Sequence, residues 1–100
     1  MKKYAVVYLK KAQQDLSNIF DYIYRDSPER ATGFLDEIDK KLGRLARFPT
    51  SGSIPKDNRL RALGYRVVVI GEYLAFYRIQ KTTVQIRRVI HGKRRYAFLL

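Results

Sequence analysis

The chain of 100 residues contains no cysteine and a single histidine. The absence of cysteine excludes disulfides, thiolate metal sites and cysteine nucleophiles, and it is consistent with a reducing compartment. One histidine without cysteines is a poor set of metal ligands, so we predict neither a metal nor any other cofactor. No serine lies in the Gly-x-Ser-x-Gly context of a hydrolase nucleophile, and no glycine-rich phosphate-binding loop is present.

Long apolar runs are also missing. Runs such as Val67–Ile70 are much too short to cross a bilayer. The lysines near the amino terminus are not followed by the apolar segment of a secretory signal peptide, and Asp15 comes early in the chain. We therefore expect a cytoplasmic protein that does not associate with membranes.

Acidic residues are scarce in the second half of the chain. Residues 51–100 contain eleven lysines and arginines but only two acidic residues, whereas residues 1–50 contain ten lysines and arginines and seven acidic residues. The second half therefore carries +9 of the net charge of +12, and residues 73–100 have no acidic side chain at all. Such a concentration of one sign of charge indicates an anionic partner, either a nucleic acid or an acidic protein.

The first half of the chain has the pattern of one strand and two helices. Residues 3–9 are rich in β-branched and aromatic side chains, which favours a strand. Apolar residues recur at helical spacing over residues 11–26, and a second helical stripe begins at Ser27-Pro28 and cannot continue past Pro49. Ser27 is suited to cap the second helix and Pro28 to its first position. The short connection between the helices predicts an antiparallel hairpin.

The second half predicts a loop over residues 50–58 and then three or four strands. The strands are expected near residues 59–63, 65–70, 73–80 and 84–91. Gly71-Glu72 suits a type II′ hairpin and residues 81–83 a second tight turn, so the strands should form an antiparallel meander. We predict a single small α+β domain over residues 1–100, in which an N-terminal strand and a helix hairpin precede a meander packed on the helices. The first strand should join the sheet at an edge or beside the last strand.

Alternation along residues 84–91 assigns the side chains of the last strand to two faces. The set predicted to face the helices is Val84, Ile86, Arg88 and Ile90, in which the charge of Arg88 is out of place. The set predicted to face away is Gln85, Arg87, Val89 and His91. An antiparallel sheet can leave one face to solvent or ligand, so Arg87 and His91 would lie together on an open face.

Several motifs together resemble the RelE/ParE toxin superfamily over nearly the whole chain. The helix hairpin is followed by Pro49-x-x-Gly52, a strand contains Phe76-Tyr77-Arg78-Ile79, and the chain closes on Val89-Ile90-His91 and Arg94-Arg95-Tyr96. The resemblance implies a growth-inhibiting toxin of a type II toxin–antitoxin module. It also implies a cognate antitoxin that wraps the toxin through a partly disordered segment, so a toxin–antitoxin hetero-oligomer is expected. We predict that this antitoxin is acidic, with an amphipathic segment on the helix hairpin or a sheet edge.

The superfamily has two activities, and the resemblance implies one or the other. RelE-like members cleave mRNA in the ribosomal A site with several basic residues and often a tyrosine or histidine, whereas ParE-like members inhibit DNA gyrase. Arg66 and Arg94 match basic positions of the RelE-like set, and Tyr96 corresponds to its late tyrosine at a different spacing. Two further basic positions are apolar here, at Val68 and Leu74. We predict ribosome-associated mRNA cleavage, with gyrase inhibition without nuclease activity as the alternative.

Metal-independent RNA cleavage needs a base for the 2′-hydroxyl, stabilisation of the phosphate charge and an acid for the leaving oxygen. The candidate catalytic residues are His91 as acid or base, Arg94 as partner of the phosphate oxygens, and Tyr96 for base stacking or proton donation. The residues predicted to bind RNA phosphates are Arg66, Arg78, Arg87 and Arg95. The structural alternative is a histidine at the rim of the sheet with solvated arginines around it. The apolar residues 97–100 should pack on the helices or dock a partner.

Overall fold

A short strand opens the fold, and three helices and three more strands follow. The computed structural model describes residues 3–100; Met1 and Lys2, which the predicted domain includes, lie outside the described residues. The strands are β1 (Ala5–Tyr8), β2 (Arg66–Ile70), β3 (Tyr73–Gln80) and β4 (Thr83–His91). The α-helices are α1 (Lys10–Asp26), α2 (Pro28–Gly43) and α3 (Asn58–Ala62), and single 3-10 turns cover Arg44–Ala46 and Tyr96–Phe98. Within residues 3–100, no helix combines the length and the apolar character needed to cross a membrane.

The helix hairpin forms as its sequence predicts. Pro28 takes the first position of α2, and the Ser27 hydroxyl oxygen accepts a hydrogen bond of 3.2 Å from the Arg30 N–H. The apolar stripes of the helices turn toward the sheet, where Ile38 and Leu42 are almost fully buried. The hairpin is therefore stabilised mainly by packing one apolar face against the sheet.

Residues 58–62 form a helix, so the prediction of a strand over residues 59–63 was wrong. The Asp57 carboxylate caps α3 by accepting a hydrogen bond of 2.9 Å from the Leu60 N–H. Leu60 is completely buried. The cap at Asp57 and the burial of Leu60 favour a helix here. Together they outweigh the strand propensity of the residues, on which the prediction depended.

The sheet has the strand order β1-β4-β3-β2. β1 pairs in parallel with β4, and the other two pairs are antiparallel. β1 thus lies at an edge and beside the last strand, as predicted. Gly71-Glu72 joins β2 to β3. Gly71 has a φ of +58°, and a type II′ turn requires a positive φ at its first central residue. The α+β fold class is confirmed.

Apolar side chains cover both faces of the sheet. The first face packs against α1 and α2, and Tyr77 and Leu42 are among its buried residues. The second face carries a smaller cluster, which consists of Leu60, Tyr65, Phe76 and Ile90 with Tyr96, Leu99 and Leu100 packed against it. The prediction of an open face was wrong, because α3 and the last residues of the chain lie on this face.

The pairing of β3 with β4 contains a β-bulge. Phe76 lies opposite Arg88, but the next residue of β3, Tyr77, lies opposite Ile86. Arg87 is therefore an extra residue without a partner in β3. Because side chains alternate along a strand, one extra residue exchanges the two faces for the rest of β4.

The bulge corrects the predicted faces of β4. Val84, which precedes the bulge, packs on the helix side as predicted. Beyond the bulge Val89 also packs on the helix side, whereas Ile90 belongs to the cluster on the second face, so both of these predictions were wrong. For the same reason, Arg87 and His91 do not share a face.

Candidate functional site

His91 ends β4 on the helix side of the sheet. Its ring lies edge-on to Tyr73 with the centroids 5.3 Å apart, and Tyr73 in turn contacts Phe34 of α2. Nδ1 accepts a hydrogen bond of 3.2 Å from the Lys93 N–H, and Nε2 lies 3.7 Å from a carboxylate oxygen of Glu72. In the neutral ring the proton is then on Nε2. Neither ring nitrogen has a free lone pair in this arrangement, so the contacts do not prepare the ring to act as a general base.

Tyr96 lies on the other face of the sheet. It begins the last 3-10 turn, and its ring packs on Phe76 with the centroids 5.1 Å apart. Phe76 and Tyr73 are three positions apart on β3 and point to opposite faces. His91 and Tyr96, the two candidates for proton transfer, are therefore separated by the sheet.

Arg94 and Arg95 are exposed in the connection between β4 and the last turn. The Arg94 N–H donates to the His91 carbonyl at 3.0 Å, and the Arg94 carbonyl accepts from the Tyr96 N–H at 2.8 Å. These backbone contacts define a compact turn. The two guanidinium groups can meet a phosphate or a carboxylate on an incoming partner.

Arg78 and Arg87 meet at Tyr65, which was not among the predicted site residues. Their guanidinium carbons lie 5.6 Å and 5.9 Å from the centroid of the Tyr65 ring, which is within cation–π range. Tyr65 is only 5% exposed, so its ring is a fixed support for both cations. Two of the four predicted phosphate-binding residues are thus brought together. Only the pairing of the strands shows this, because the three residues are far apart in sequence.

Arg66 holds the loop that follows α2 in place through hydrogen bonds. Its guanidinium donates to the carbonyls of Thr50 at 3.0 Å and Gly52 at 3.1 Å. The buried Tyr77 hydroxyl donates to the Pro49 carbonyl at 2.7 Å and accepts from the Gly52 N–H at 3.0 Å. These contacts engage the Arg66 guanidinium within the fold, away from the pair at Tyr65.

Asp15 and Arg88 form a partly buried ion pair that explains the misplaced charge in the alternation of β4. The Asp15 oxygens accept hydrogen bonds from Arg88 Nε at 2.7 Å and Nη2 at 3.0 Å, and one of them also accepts from the Val89 N–H at 2.9 Å. The hydrogen bond with Asp15 raises the pKa of Arg88. Arg88 Nη1 donates to the Leu99 carbonyl at 2.9 Å, so the pair also holds the end of the chain.

Two surface pockets lie beside these groups. One of about 360 Å³ on the second face is lined by Lys10, Lys11, Tyr65, Arg87, Arg88 and apolar neighbours. Another of about 420 Å³ lies between α2 and the turn after β2, and it includes Phe34, Glu37, Tyr73 and Gly33. No group of three or more His, Cys, Asp or Glu side chains among residues 3–100 is placed to hold a metal ion. The pocket on the second face combines cationic side chains with the aromatic ring of Tyr65.

Solved toxin structures share this fold. A chain of the chromosomal ParDE toxin–antitoxin system from P. aeruginosa superposes with a TM-score of 0.74 at 20% identity, over 93% of this chain and 100% of that one. A chain of the toxin–antitoxin complex RelBE2 from Mycobacterium tuberculosis has a TM-score of 0.59 at 30% identity, and the match covers 89% of this chain and 98% of that one. The YoeB/ParE toxin from Agrobacterium tumefaciens has a TM-score of 0.59 at 15% identity, and the match covers 87% of this chain and 96% of that one. The chain is thus a toxin of the RelE/ParE superfamily.

A family model assigns the chain to one family within this superfamily. The model of the ParE toxin of type II toxin–antitoxin systems, parDE, matches residues 6–96. Because the match covers most of the chain, the chain belongs to the ParE toxin family. Among curated proteins, none is significantly similar to it.

Proposed function

We propose that this toxin arrests growth by binding a protein target, DNA gyrase, and that it does not cleave RNA. The main support is the separation of His91 from Tyr96 by the sheet. Metal-independent cleavage needs an acid, a base and cationic groups around one phosphate. Candidate proton-transfer residues on opposite faces favour binding over catalysis.

Other parts of the predicted RNA site support the same proposal. Val68 packs against the cluster on the first face and Leu74 against the cluster on the second, so both positions supply apolar contacts where RelE-like toxins supply charge. Arg66 is engaged by two loop carbonyls. Membership of the ParE family agrees with gyrase as the target.

Cleavage of mRNA is the second candidate, and one observation favours it. Arg78 and Arg87 flank Tyr65 on the second face. Cations beside an aromatic ring are typical of surfaces that bind single-stranded RNA through phosphate contacts and stacking. A nuclease would need an acid and a base to come beside these arginines on the ribosome.

Induction of the toxin in the bacterium that encodes it separates the two candidates. Gyrase inhibition predicts early loss of DNA synthesis, with linear DNA bound to gyrase, while protein synthesis continues. Cleavage of mRNA predicts early loss of protein synthesis and new mRNA 5′ ends in the reading frame. Purified toxin should also inhibit supercoiling by the gyrase of that bacterium. Unchanged supercoiling together with new 5′ ends would contradict the proposal.

We further propose that an acidic antitoxin neutralises the toxin by filling the groove beside α2. The groove is the pocket of about 420 Å³ that includes Phe34 and Tyr73. Its apolar residues suit the apolar face of an amphipathic helix, and Arg30, Glu37 and Glu72 are the charged residues of its lining. The net charge of +12 favours an acidic partner. Solved structures similar to this chain belong to toxin–antitoxin systems, which supports a partner of this kind.

A single substitution tests the groove. Gly33 lines it, and no atom lies within 4 Å of a Cβ placed on Gly33, so the backbone can carry a side chain there and Gly33→Phe should fill the groove. We expect the affinity for the antitoxin, measured by calorimetry, to fall at least about tenfold. Thr32→Phe, at an exposed position of α2 outside the groove, is the matched control. Equal affinities of the two variants would exclude this docking site.

A further inference from the structure

Phe98 stands out on the surface. The residue is 83% exposed, which is the largest value among the exposed large hydrophobic residues of the described chain; the next is Tyr22 at 67%. Burial of such a side chain against a partner is favourable, because it removes a large apolar surface from water. Exposure alone does not indicate a partner, so the inference depends on how the Phe98 ring is presented and on its charged neighbours.

The residues on either side of Phe98 are held in place. Arg59 of α3 donates hydrogen bonds to the Ala97 carbonyl at 2.5 Å and to the Leu100 carbonyl at 3.2 Å. Arg88 donates to the Leu99 carbonyl at 2.9 Å. Leu99 and Leu100 also pack against the cluster on the second face.

The last 3-10 turn sets the direction of the Phe98 side chain. The Phe98 N–H donates to the Arg95 carbonyl at 3.2 Å, and the Leu99 N–H donates to the Tyr96 carbonyl at 2.9 Å. Within this turn the Tyr96 ring points inward to Phe76, whereas Phe98 points outward. The aromatic ring is thus presented by an anchored backbone, which lowers the conformational entropy lost on binding.

The surroundings of Phe98 are basic. Lys93, Arg94 and Arg95 are exposed in the preceding turn, and no acidic residue follows Glu72 in the chain. A complementary surface would offer an apolar cavity with carboxylates at its rim. We take a protein as the partner, because a protein pocket encloses an aromatic ring on several sides, whereas a nucleic-acid base stacks only on its face.

We propose that Phe98 is the anchor residue of the contact between this toxin and its protein target, inserting into an apolar pocket with an acidic rim. The assignment rests on the proposed function, because it requires a protein target. Buried aromatic anchors supply much of the free energy of protein–protein binding. Phe98 combines a large apolar side chain, a fixed direction and a cationic border.

The test compares Phe98→Ala with Phe48→Ala, a second exposed phenylalanine, at 51%, in the segment after α2. Phe98→Ala should weaken binding to purified gyrase at least about 30-fold and abolish growth arrest, while Phe48→Ala retains both. Circular dichroism and antitoxin binding should match wild type in both variants. Growth arrest by Phe98→Ala at the wild-type level overturns the proposal.

A second variant tests whether the fixed presentation of the ring matters. Arg59→Gln keeps Phe98 but removes the charged donor to the Ala97 and Leu100 carbonyls, so it should weaken target binding by a smaller factor than Phe98→Ala. Loss of antitoxin binding by Phe98→Ala with growth arrest retained would assign the residue to the antitoxin and overturn its role at the target. If wild-type toxin does not bind gyrase, the proposed target is wrong, whereas the growth-arrest series still decides the role of Phe98.

Discussion

Asp15 and Arg88 lie side by side in the structure although 73 positions separate them in the sequence. Their side chains are each 14% exposed and share hydrogen bonds of 2.7 Å and 3.0 Å. Asp15 also accepts the Val89 N–H, which β1 does not reach because its pairing with β4 ends at Ile86. One carboxylate therefore joins α1 to the outer edge of β4, just past the bulge.

Asp15→Asn is expected to destabilise the toxin by about 3 kcal/mol, because it leaves the guanidinium of Arg88 mostly buried without a counter-charge. The measurement is urea denaturation followed by circular dichroism. Asp21→Asn, on an exposed position of α1, is the control and should change stability by less than about 0.5 kcal/mol. Similar midpoints for the two variants would show that the pair contributes little.

Gly52→Ala is expected to destabilise the fold by about 1–3 kcal/mol through overpacking. A Cβ at Gly52 would lie 2.5 Å from the hydroxyl oxygen of Tyr77 and 2.7 Å from its Cε1. Gly33→Ala is the matched control: nothing lies within 4 Å of its Cβ, and alanine inside α2 should stabilise by about 0.5–1 kcal/mol. Thermal unfolding should therefore shift in opposite directions, and a shift of the same sign in both would refute the steric account.

Stability should decline as the pH rises above about 10, where tyrosines of the unfolded chain lose their protons. Burial raises the pKa of Tyr77, with a smaller opposing effect from the Gly52 N–H and Arg66, and burial also raises the pKa of Tyr8 and Tyr73. The folded state therefore keeps these protons while the unfolded state releases them. The associated stability is fully present below pH 10 and is lost as the pH rises through the folded-state pKa values.

Tyr77→Phe isolates one of these groups. At pH 7 it should lower stability by about 1–2 kcal/mol, because the Pro49 carbonyl and the Gly52 N–H lose their partner. Above pH 10 its stability should fall less steeply than that of wild type, as measured by urea midpoints from pH 8 to 11.5. Parallel pH profiles would show that Tyr77 does not contribute to the decline.

His91→Gln should leave growth arrest unchanged, since its ring is held by Lys93, Glu72 and Tyr73 on the helix side of the sheet. Tyr96→Phe should do the same, because the ring can keep its packing on Phe76. Colony counts after induction measure both effects. Loss of arrest in either variant, with the fold and antitoxin binding intact, would revive RNA cleavage as the activity.

Local patterns were sufficient to predict most of the fold. The helix hairpin, its Ser27 cap, the Gly71 turn and the place of β1 all follow from residues close together in sequence or from simple topology. α3 could not be predicted in this way. Its helix depends on burying Leu60 against a face formed by distant strands.

The candidate site was harder to predict, because it depends on strand register. Simple alternation placed Arg87 and His91 on one face, and the extra residue in β4 separates them. The bulge depends on how β4 pairs with β3, and contacts of this range have no signature within one strand.

Composition and near neighbours in the chain account for the basic second half, the absence of thiol chemistry and the apolar periods that build a helix hairpin and a meander. Which cations remain available to a partner depends on how the folded chain brings distant residues together. Arg66 and Arg88 are engaged by carbonyls and a carboxylate, whereas Arg78 and Arg87 meet at Tyr65. Strand register and burial arise from contacts between residues distant in the chain, so local sequence patterns do not show them.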